Sequence, residues 1–135
     1  MPRIRMPKRI EFENDAGQTV RYVRHGDGGY VSPQADVAAD AVIGRGTYVE
    51  GGAQVHAGAR IGEVTWVDHG AVVGRDARIG SSVHLGPGSF VGAGARVADH
   101  VHLGRDVRIE ASATVEAEAS VPDGEVVRHR YAQAA

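Results

Sequence analysis

Aliphatic residues recur at every sixth position from Val31 to Val127 without interruption. The seventeen positions are all Val, Ile or Leu: Val31, Val37, Ile43, Val49, Val55, Ile61, Val67, Val73, Ile79, Leu85, Val91, Val97, Leu103, Ile109, Val115, Val121 and Val127. An α-helix repeats about every 3.6 residues and a single strand every 2, so neither keeps this period, whereas short strands joined by fixed turns do. The pattern predicts a repeat protein of stacked short strands.

The other positions of the hexad agree with this prediction. A small or β-branched residue comes four residues after each aliphatic residue from Val31 to Val115, and Glu125, four residues after Val121, is the exception. Three residues after the aliphatic residue, the chain often has a residue that tolerates positive φ. These residues are Asp40, Gly46, Gly52, Gly58, Gly70, Asp76, Gly88, Gly94, Asp106 and Gly124. Each hexad is therefore predicted to form one short strand and one turn.

The hexads resemble a known repeat. Units such as IGRGTY, IGSSVH, LGPGSF and VGAGAR are similar to the hexapeptide repeat of the left-handed parallel β-helix family, which includes many acyltransferases and the γ-class carbonic anhydrases. The resemblance implies an all-β, single-stranded left-handed parallel β-helix, and the left hand comes from the resemblance alone. Three hexads would make one coil, which gives about five coils in residues 31–127. The repeat encodes packing, so it predicts the fold more strongly than the function.

The two ends of the chain lie outside the hexad pattern. In residues 1–30, two prolines and several basic residues suit an extended arm over Met1 to Lys8. Alternation around Ile10 and Phe12, turn residues in 14–18 and a second β-prone run from Val20 then predict a β-hairpin. This segment would either cap the first coil or dock on another subunit or a larger assembly. Residues 128–135 are predicted to be a last strand with a frayed end.

Composition narrows the classes of partner. At 135 residues the chain has room for one domain, and its net charge of -2 with a pI near 6.4 argues against a nucleic-acid binder. The absence of cysteine excludes a disulfide framework, and no apolar run approaches the ~18 residues of a membrane span. We therefore expect a soluble protein that is cytoplasmic or part of an intracellularly assembled particle, with no nucleic-acid or membrane partner.

Outward side chains of an 18-residue coil should stack in columns, and three columns are distinctive. The candidates for a homotrimer interface are Tyr48, Trp66, His84 and His102 on one face, Val72 and Phe90 on the second, and Arg60, Arg78 and Arg96 on the third. An exposed aromatic column favours subunit packing, with ligand stacking or simple stabilisation of the ladder as alternatives. The arginine column could be solvated, bind an anion, or pair with Glu50 and Asp68 of a neighbouring chain.

Histidines suggest two metal sites. The stretches VEGGAQVH and IGEVTWVDHGAVVG resemble the ligand region of γ-class carbonic anhydrases, which implies His56 and His69 as ligands, but Gly74 occupies the place of the third. A catalytic zinc site normally has three protein ligands, so the set is incomplete. His84 and His102 could alternatively chelate a metal together with His100 of a neighbour. Stacking of coils alone produces such histidine pairs by chance, so no cofactor is predicted.

The resemblance to acyltransferases implies a histidine general base near the subunit boundary, with acyl-CoA in the groove between subunits. His84 or His102 could be that base. However, the chain lacks the long loop that shapes the acceptor pocket in many members. The sequence alone thus favours a non-catalytic structural or assembly module, such as a scaffold, spike or decoration subunit. The alternatives are an acyl-CoA-dependent acyltransferase or a degenerate carbonic-anhydrase-like metal protein.

Overall fold

Twenty short strands joined by tight turns make up residues 8–133, which are the residues described by the computed structural model. The predicted arm therefore lies almost wholly outside the described residues. The chain opens with an antiparallel hairpin of β1 (Arg9–Glu13) and β2 (Thr19–Arg24). The remaining eighteen strands, of two residues each, wind into a three-sided parallel β-helix.

Each side of the β-helix is formed by six parallel strands of two residues each. Face 1 contains β3 (Tyr30–Val31), β6 (Tyr48–Val49), β9 (Trp66–Val67), β12 (His84–Leu85), β15 (His102–Leu103) and β18 (Ser120–Val121). Face 2 contains β4 (Asp36–Val37), β7 (Gln54–Val55), β10 (Val72–Val73), β13 (Phe90–Val91), β16 (Arg108–Ile109) and β19 (Val126–Val127). Face 3 contains β5 (Val42–Ile43), β8 (Arg60–Ile61), β11 (Arg78–Ile79), β14 (Arg96–Val97), β17 (Thr114–Val115) and β20 (Arg130–Tyr131).

This architecture confirms the predicted left-handed β-helix fold, with six coils where the hexads predicted about five. The sixth coil is completed by β20, which pairs Tyr131 with Val115. Tyr131 follows Val127 by four residues and not six, so this strand breaks the period. The hexad count could not include it.

The hexad aliphatic residues form the core. All of them from Ile43 to Val127 are buried, and only Val31 and Val37, in the first coil, are partly exposed. The small residues four positions later are also buried from Ala41 to Ala119, with Ala35 partly exposed, whereas Glu125, the exception to the pattern, is exposed. Burying one Val, Leu or Ile side chain contributes roughly 1.5–3 kcal/mol, so the stability of the rod is spread over many similar residues.

The turns adopt the predicted left-handed backbone at nine of the ten predicted positions, and Asp40 is the exception. Five further residues without a glycine or aspartate signal also have positive φ: Val64, Ser82, His100, Ser112 and Glu118. Val64 has a φ of 53° although its side chain is β-branched, a combination that costs free energy. Stacking on neighbouring coils therefore imposes turn geometry that the local sequence would not choose.

The hairpin extends face 1 at the start of the β-helix. Strand β2 pairs antiparallel with β3, with Val23 opposite Val31, so the hairpin covers a strand edge of its own first coil. The division of the chain into an N-terminal segment, a repeat and a tail remains a prediction, as does docking on a larger assembly. Among residues 8–133 no helix is long and apolar enough to span a membrane.

Candidate functional site

Side chains of face 1 form a continuous column of rings. The strand register aligns Tyr30, Tyr48, Trp66, His84 and His102 in successive coils. The rings of Trp66 and His84 are stacked, with centroids 4.3 Å apart and planes 10° apart. His84 and His102 follow at 4.7 Å with a tilt of 58°. The column therefore ends in two exposed or half-exposed imidazoles that are held by their neighbours.

A buried carboxylate lies beside this column in each of two successive coils. Glu50 accepts a 2.6 Å hydrogen bond from the Tyr22 hydroxyl and a 2.8 Å bond from Nε1 of Trp66. Burial, followed by the bond to Glu50, raises the pKa of Tyr22, so its hydroxyl stays protonated as the donor. Glu50 thus joins the hairpin to the aromatic column.

Asp68 occupies the equivalent place one coil later and binds two histidines. Its Oδ2 lies 3.0 Å from Nε2 of His84. Its Oδ1 accepts a 2.7 Å bond from the backbone N–H of His69 and lies 3.0 Å from Nδ1 of the same residue. One buried carboxylate therefore positions two imidazoles from neighbouring coils.

The environment of Asp68 keeps it ionised. Burial alone would raise the pKa of this carboxyl, but hydrogen bonds from His84 and from the backbone and ring of His69 outweigh burial and lower it. A carboxylate that is ionised and fixed in position can orient a histidine and stabilise the imidazolium that forms when the histidine takes a proton. Asp68 and His69 are thus arranged as a carboxylate–histidine pair.

His69 combines a carboxylate-bound Nδ1 with a free Nε2 on the wall of a cavity. Within residues 8–133 its Nε2 makes no hydrogen bond, and its side chain is 69% exposed. It lines a cavity of about 690 Å³ between the hairpin and the first coils. The polar residues on the cavity wall include Asn14, Gln18, Ser32, Gln34 and Glu50. A general base needs both a free lone pair and room for the group it deprotonates, and His69 has both.

The two histidines that the sequence suggested as bases are placed differently. His84 contacts Asp68 through Nε2 and lies 3.1 Å from Nδ1 of His102 through its own Nδ1, so both of its nitrogens are engaged. His102 is exposed and adjoins a smaller hollow of about 230 Å³. The structure therefore brings these two histidines together but leaves His69 as the better placed base.

Within one chain, the candidate metal ligands do not converge. His56 follows β7 on face 2, whereas His69 follows β9 on face 1, so they lie at different corners of the β-helix. Within the described part of the chain, no three His, Cys, Asp or Glu side chains are placed to hold a metal ion. His100 instead contacts Glu118 at 2.8 Å, away from the His84 and His102 pair.

The remaining columns have the predicted register. Val72 and Phe90 are neighbours on face 2, and Phe90 lies 4.5 Å beneath the guanidinium of Arg108. Arg60, Arg78 and Arg96 are neighbours on face 3, and all three are exposed. Glu50 and Asp68 use their oxygens for bonds within the chain, which leaves them poorly suited to pair with arginines of a neighbouring subunit.

Sequence reasoning undervalued Glu50 and Asp68, which it considered only as possible partners of arginines. A signal was available, because both directly follow a hexad aliphatic residue, where the next two coils have Gly86 and Gly104. Glycine at this position in the later coils indicates that the position lies close to the backbone of neighbouring coils. A carboxylate at the same position is therefore also expected to lie close to that backbone. In each case a ring N–H follows sixteen residues later and reaches it from the next coil.

Several solved structures are similar to this chain. PerB from Caulobacter crescentus, in complex with CoA and GDP-perosamine, is 33% identical with a TM-score of 0.74, over 75% of this chain and 49% of PerB. The acetyltransferase domain of PglB from Neisseria gonorrhoeae is 25% identical with a TM-score of 0.75, over 77% of this chain and 51% of that domain. WeeI from Acinetobacter baumannii, at 20% identity and a TM-score of 0.73, is similar in fold, over 76% of this chain and 51% of WeeI.

The chain thus spans about half the length of these structures. Their likeness supports the acyltransferase alternative better than the non-catalytic module that the sequence alone favoured. None of the curated proteins has a significant sequence match to this chain. The profile of the GMPPB C-terminal domain family matches residues 27–134, which is most of the chain and includes the whole β-helix. The protein is therefore a member of the GMPPB C-terminal domain family.

Proposed function

We propose that this protein transfers an acyl group from acyl-CoA to an acceptor, with His69 as the general base and Asp68 as the carboxylate that orients it. The observation that carries the proposal is the pair itself: an imidazole bonded through Nδ1 to a buried carboxylate, on the wall of a cavity, whose Nε2 has no hydrogen bond to any of residues 8–133. The likeness to PerB, in complex with CoA, and to the acetyltransferase domain of PglB supports the same reaction class.

The chemistry needs only these groups and the two substrates. Nε2 of His69 takes a proton from the acceptor amine or hydroxyl as its nitrogen or oxygen attacks the thioester carbonyl carbon. The tetrahedral intermediate then expels the CoA sulfur, which receives the proton from the imidazolium. One carbon–sulfur bond breaks and one carbon–nitrogen or carbon–oxygen bond forms. Asp68 stabilises the imidazolium between the two steps.

We propose a sugar-like acceptor for the cavity beside His69. Its wall carries amides, hydroxyls, one carboxylate and one guanidinium, namely Asn14, Gln18, Gln34, Thr19, Ser32, Glu50 and Arg21. Groups of this kind hydrogen-bond a polyhydroxylated molecule, since they supply both donors and acceptors. PerB, whose complex contains GDP-perosamine, provides a precedent for an amino sugar joined to a nucleotide.

A homotrimer remains our proposal for the assembly. Trp66, with 44% of its surface exposed, lies on face 1, and the half-buried Val72 and Phe90 lie on face 2. Apolar side chains on adjoining faces suit the packing of parallel copies around an axis. In this arrangement a neighbouring copy would add a wall to the groove beside His69, and acyl-CoA would lie between the two copies.

The test measures CoA release from acetyl-CoA with a thiol reagent, in the presence of nucleotide-linked amino sugars. The protein contains no cysteine, so it adds no thiol background. We expect acceptor-dependent release, lowered roughly 100-fold or more in His69→Asn, because a general base contributes about 10²–10⁴-fold. His56→Asn is the matched control, since His56 is exposed and lies at another corner. Equal rates in the two variants would reject His69 as the base.

A further inference from the structure

We propose that His84 is a positioning residue that acts through Asp68 to hold His69 with its ring proton on Nδ1 and its lone pair on Nε2. The inference rests on the proposed function, and it assigns a role to a second histidine that does not touch substrate. It follows from four side chains in consecutive contact: His102, His84, Asp68 and His69.

The direction of each hydrogen bond follows from the carboxylate. An ionised carboxylate only accepts hydrogen bonds, so both imidazole nitrogens that contact Asp68 must donate. Nε2 of His84 therefore carries a proton, and so does Nδ1 of His69. In a neutral imidazole the other nitrogen then carries the lone pair. In His69, which lines the cavity, this nitrogen is Nε2, and in His84 it is Nδ1.

The lone pair of His84 is occupied by the next histidine. Nδ1 of His102 lies 3.1 Å from Nδ1 of His84, so His102 donates its Nδ1 proton to that lone pair. The indole of Trp66 covers one face of the His84 ring at 4.3 Å. With both nitrogens bonded and one face covered, His84 has a single orientation in which Nε2 meets Oδ2 of Asp68. This fixes the rotation of the carboxylate and aims Oδ1 at His69.

The coil before this one contains the same support without the base. Glu50 accepts from the Trp66 ring nitrogen just as Asp68 accepts from the His84 ring nitrogen, and both donors lie sixteen residues after their acceptor. Glu50 is followed by Gly51, whereas Asp68 is followed by His69. The hydrogen bond from a ring nitrogen to a buried carboxylate is thus repeated along face 1. In the coil of Asp68 the carboxylate also binds a histidine that borders the cavity.

The first test reads the ring protons directly by ¹⁵N NMR of histidine-labelled protein. We expect His69 as the Nδ1–H tautomer and His84 as the Nε2–H tautomer in the unmodified protein. His84→Gln places an amide N–H where Nε2 was and should keep His69 in that tautomer. In His84→Asn the asparagine side chain is too short to reach Asp68, so His69 should become a mixture of the Nδ1–H and Nε2–H tautomers. Both variants lose the stacked ring alike, so the difference between them isolates the hydrogen bond.

The second test compares rates. His84→Asn should lower kcat by up to about 100-fold with little change in KM, because a misplaced base slows the chemical step and not substrate binding. His84→Gln should recover most of that loss. The proposal is wrong if His69 is already a tautomer mixture in the unmodified protein, or if His84→Asn leaves its tautomer unchanged. The NMR result does not depend on turnover, so a failure of the proposed function would be recognised separately, by absent turnover with the predicted tautomers intact.

Discussion

The hydroxyl of Tyr22 donates a 2.6 Å hydrogen bond to Oε1 of Glu50, across 28 residues of sequence. This bond ties the N-terminal hairpin to the second coil, and the hairpin forms one wall of the cavity beside His69. The ring of Tyr22 also contacts Phe12 and Tyr48, with centroids 5.7 and 5.0 Å away. In addition to the pairing of β2 with β3, the hairpin is therefore held by a buried polar contact within an aromatic cluster.

Tyr22→Phe removes that contact and leaves a buried carboxylate oxygen without its partner. We expect a loss of about 1–3 kcal/mol in the free energy of unfolding, measured with urea, and faster hydrogen exchange in β1 and β2. Tyr48→Phe is the matched control, because within residues 8–133 the Tyr48 hydroxyl makes no hydrogen bond. Equal stability of the two variants would contradict the role given to the Tyr22 bond.

Val64 is a β-branched residue in the left-handed region, and 65% of its surface is exposed. Val64→Asn should stabilise the protein by about 1 kcal/mol, because asparagine adopts this backbone more easily and little apolar contact is lost. Val42→Asn serves as the opposite case, since Val42 is exposed in an extended strand that favours β-branched residues. Thermal unfolding should shift upward for the first variant and downward for the second.

Asp68 makes stability depend on pH. Its pKa in the folded protein is lowered, so its contribution is present at pH values above the unfolded pKa and is lost as the pH falls through the folded pKa. We expect the stability gap between the unmodified protein and Asp68→Asn to be full near neutral pH and to close on acidification. Asp36→Asn alters an exposed carboxylate on face 2 and should show no such closing gap.

Trp66→Asp tests the proposed homotrimer. A charge on the aromatic column should split the oligomer, lowering the native mass to that of one 14.2 kDa chain while β content is retained. Val64→Asp places the same charge on another exposed apolar residue, at a corner outside the faces, and should leave the mass unchanged. An unaltered mass for Trp66→Asp would reject the aromatic face as the interface.

The fold could be predicted from sequence because one rule governs most of the chain. The hexad aliphatic residues meet inside the rod, and the columns on the faces follow from the 18-residue coil. The alignment of Arg60, Arg78 and Arg96 could therefore be predicted from their spacing alone. The hexad spacing did not predict the last strand, because its position is set by pairing with β17. The sequence also did not predict positive φ at Val64 and Glu118, because stacking on the turns of neighbouring coils decides that geometry.

The candidate site was less predictable, because it depends on contacts between coils that the hexad does not encode. The sequence singled out His84, His102 and His69 but could not show which nitrogen of each ring was occupied. The position of Asp68, directly after a hexad aliphatic residue, was a signal that the sequence reasoning did not use. A carboxylate after a hexad aliphatic residue and a ring donor sixteen residues later together form a signal that can be sought in other hexapeptide repeats.

The most direct measurement is a crystal structure of the protein with CoA and an amino-sugar acceptor. We predict the acceptor nitrogen within about 3.2 Å of Nε2 of His69, directly or through one water, with the CoA sulfur on the same side of the β-helix. An acceptor or CoA thiol seated at another corner, for example beside His56, would contradict the assignment of His69 as the base.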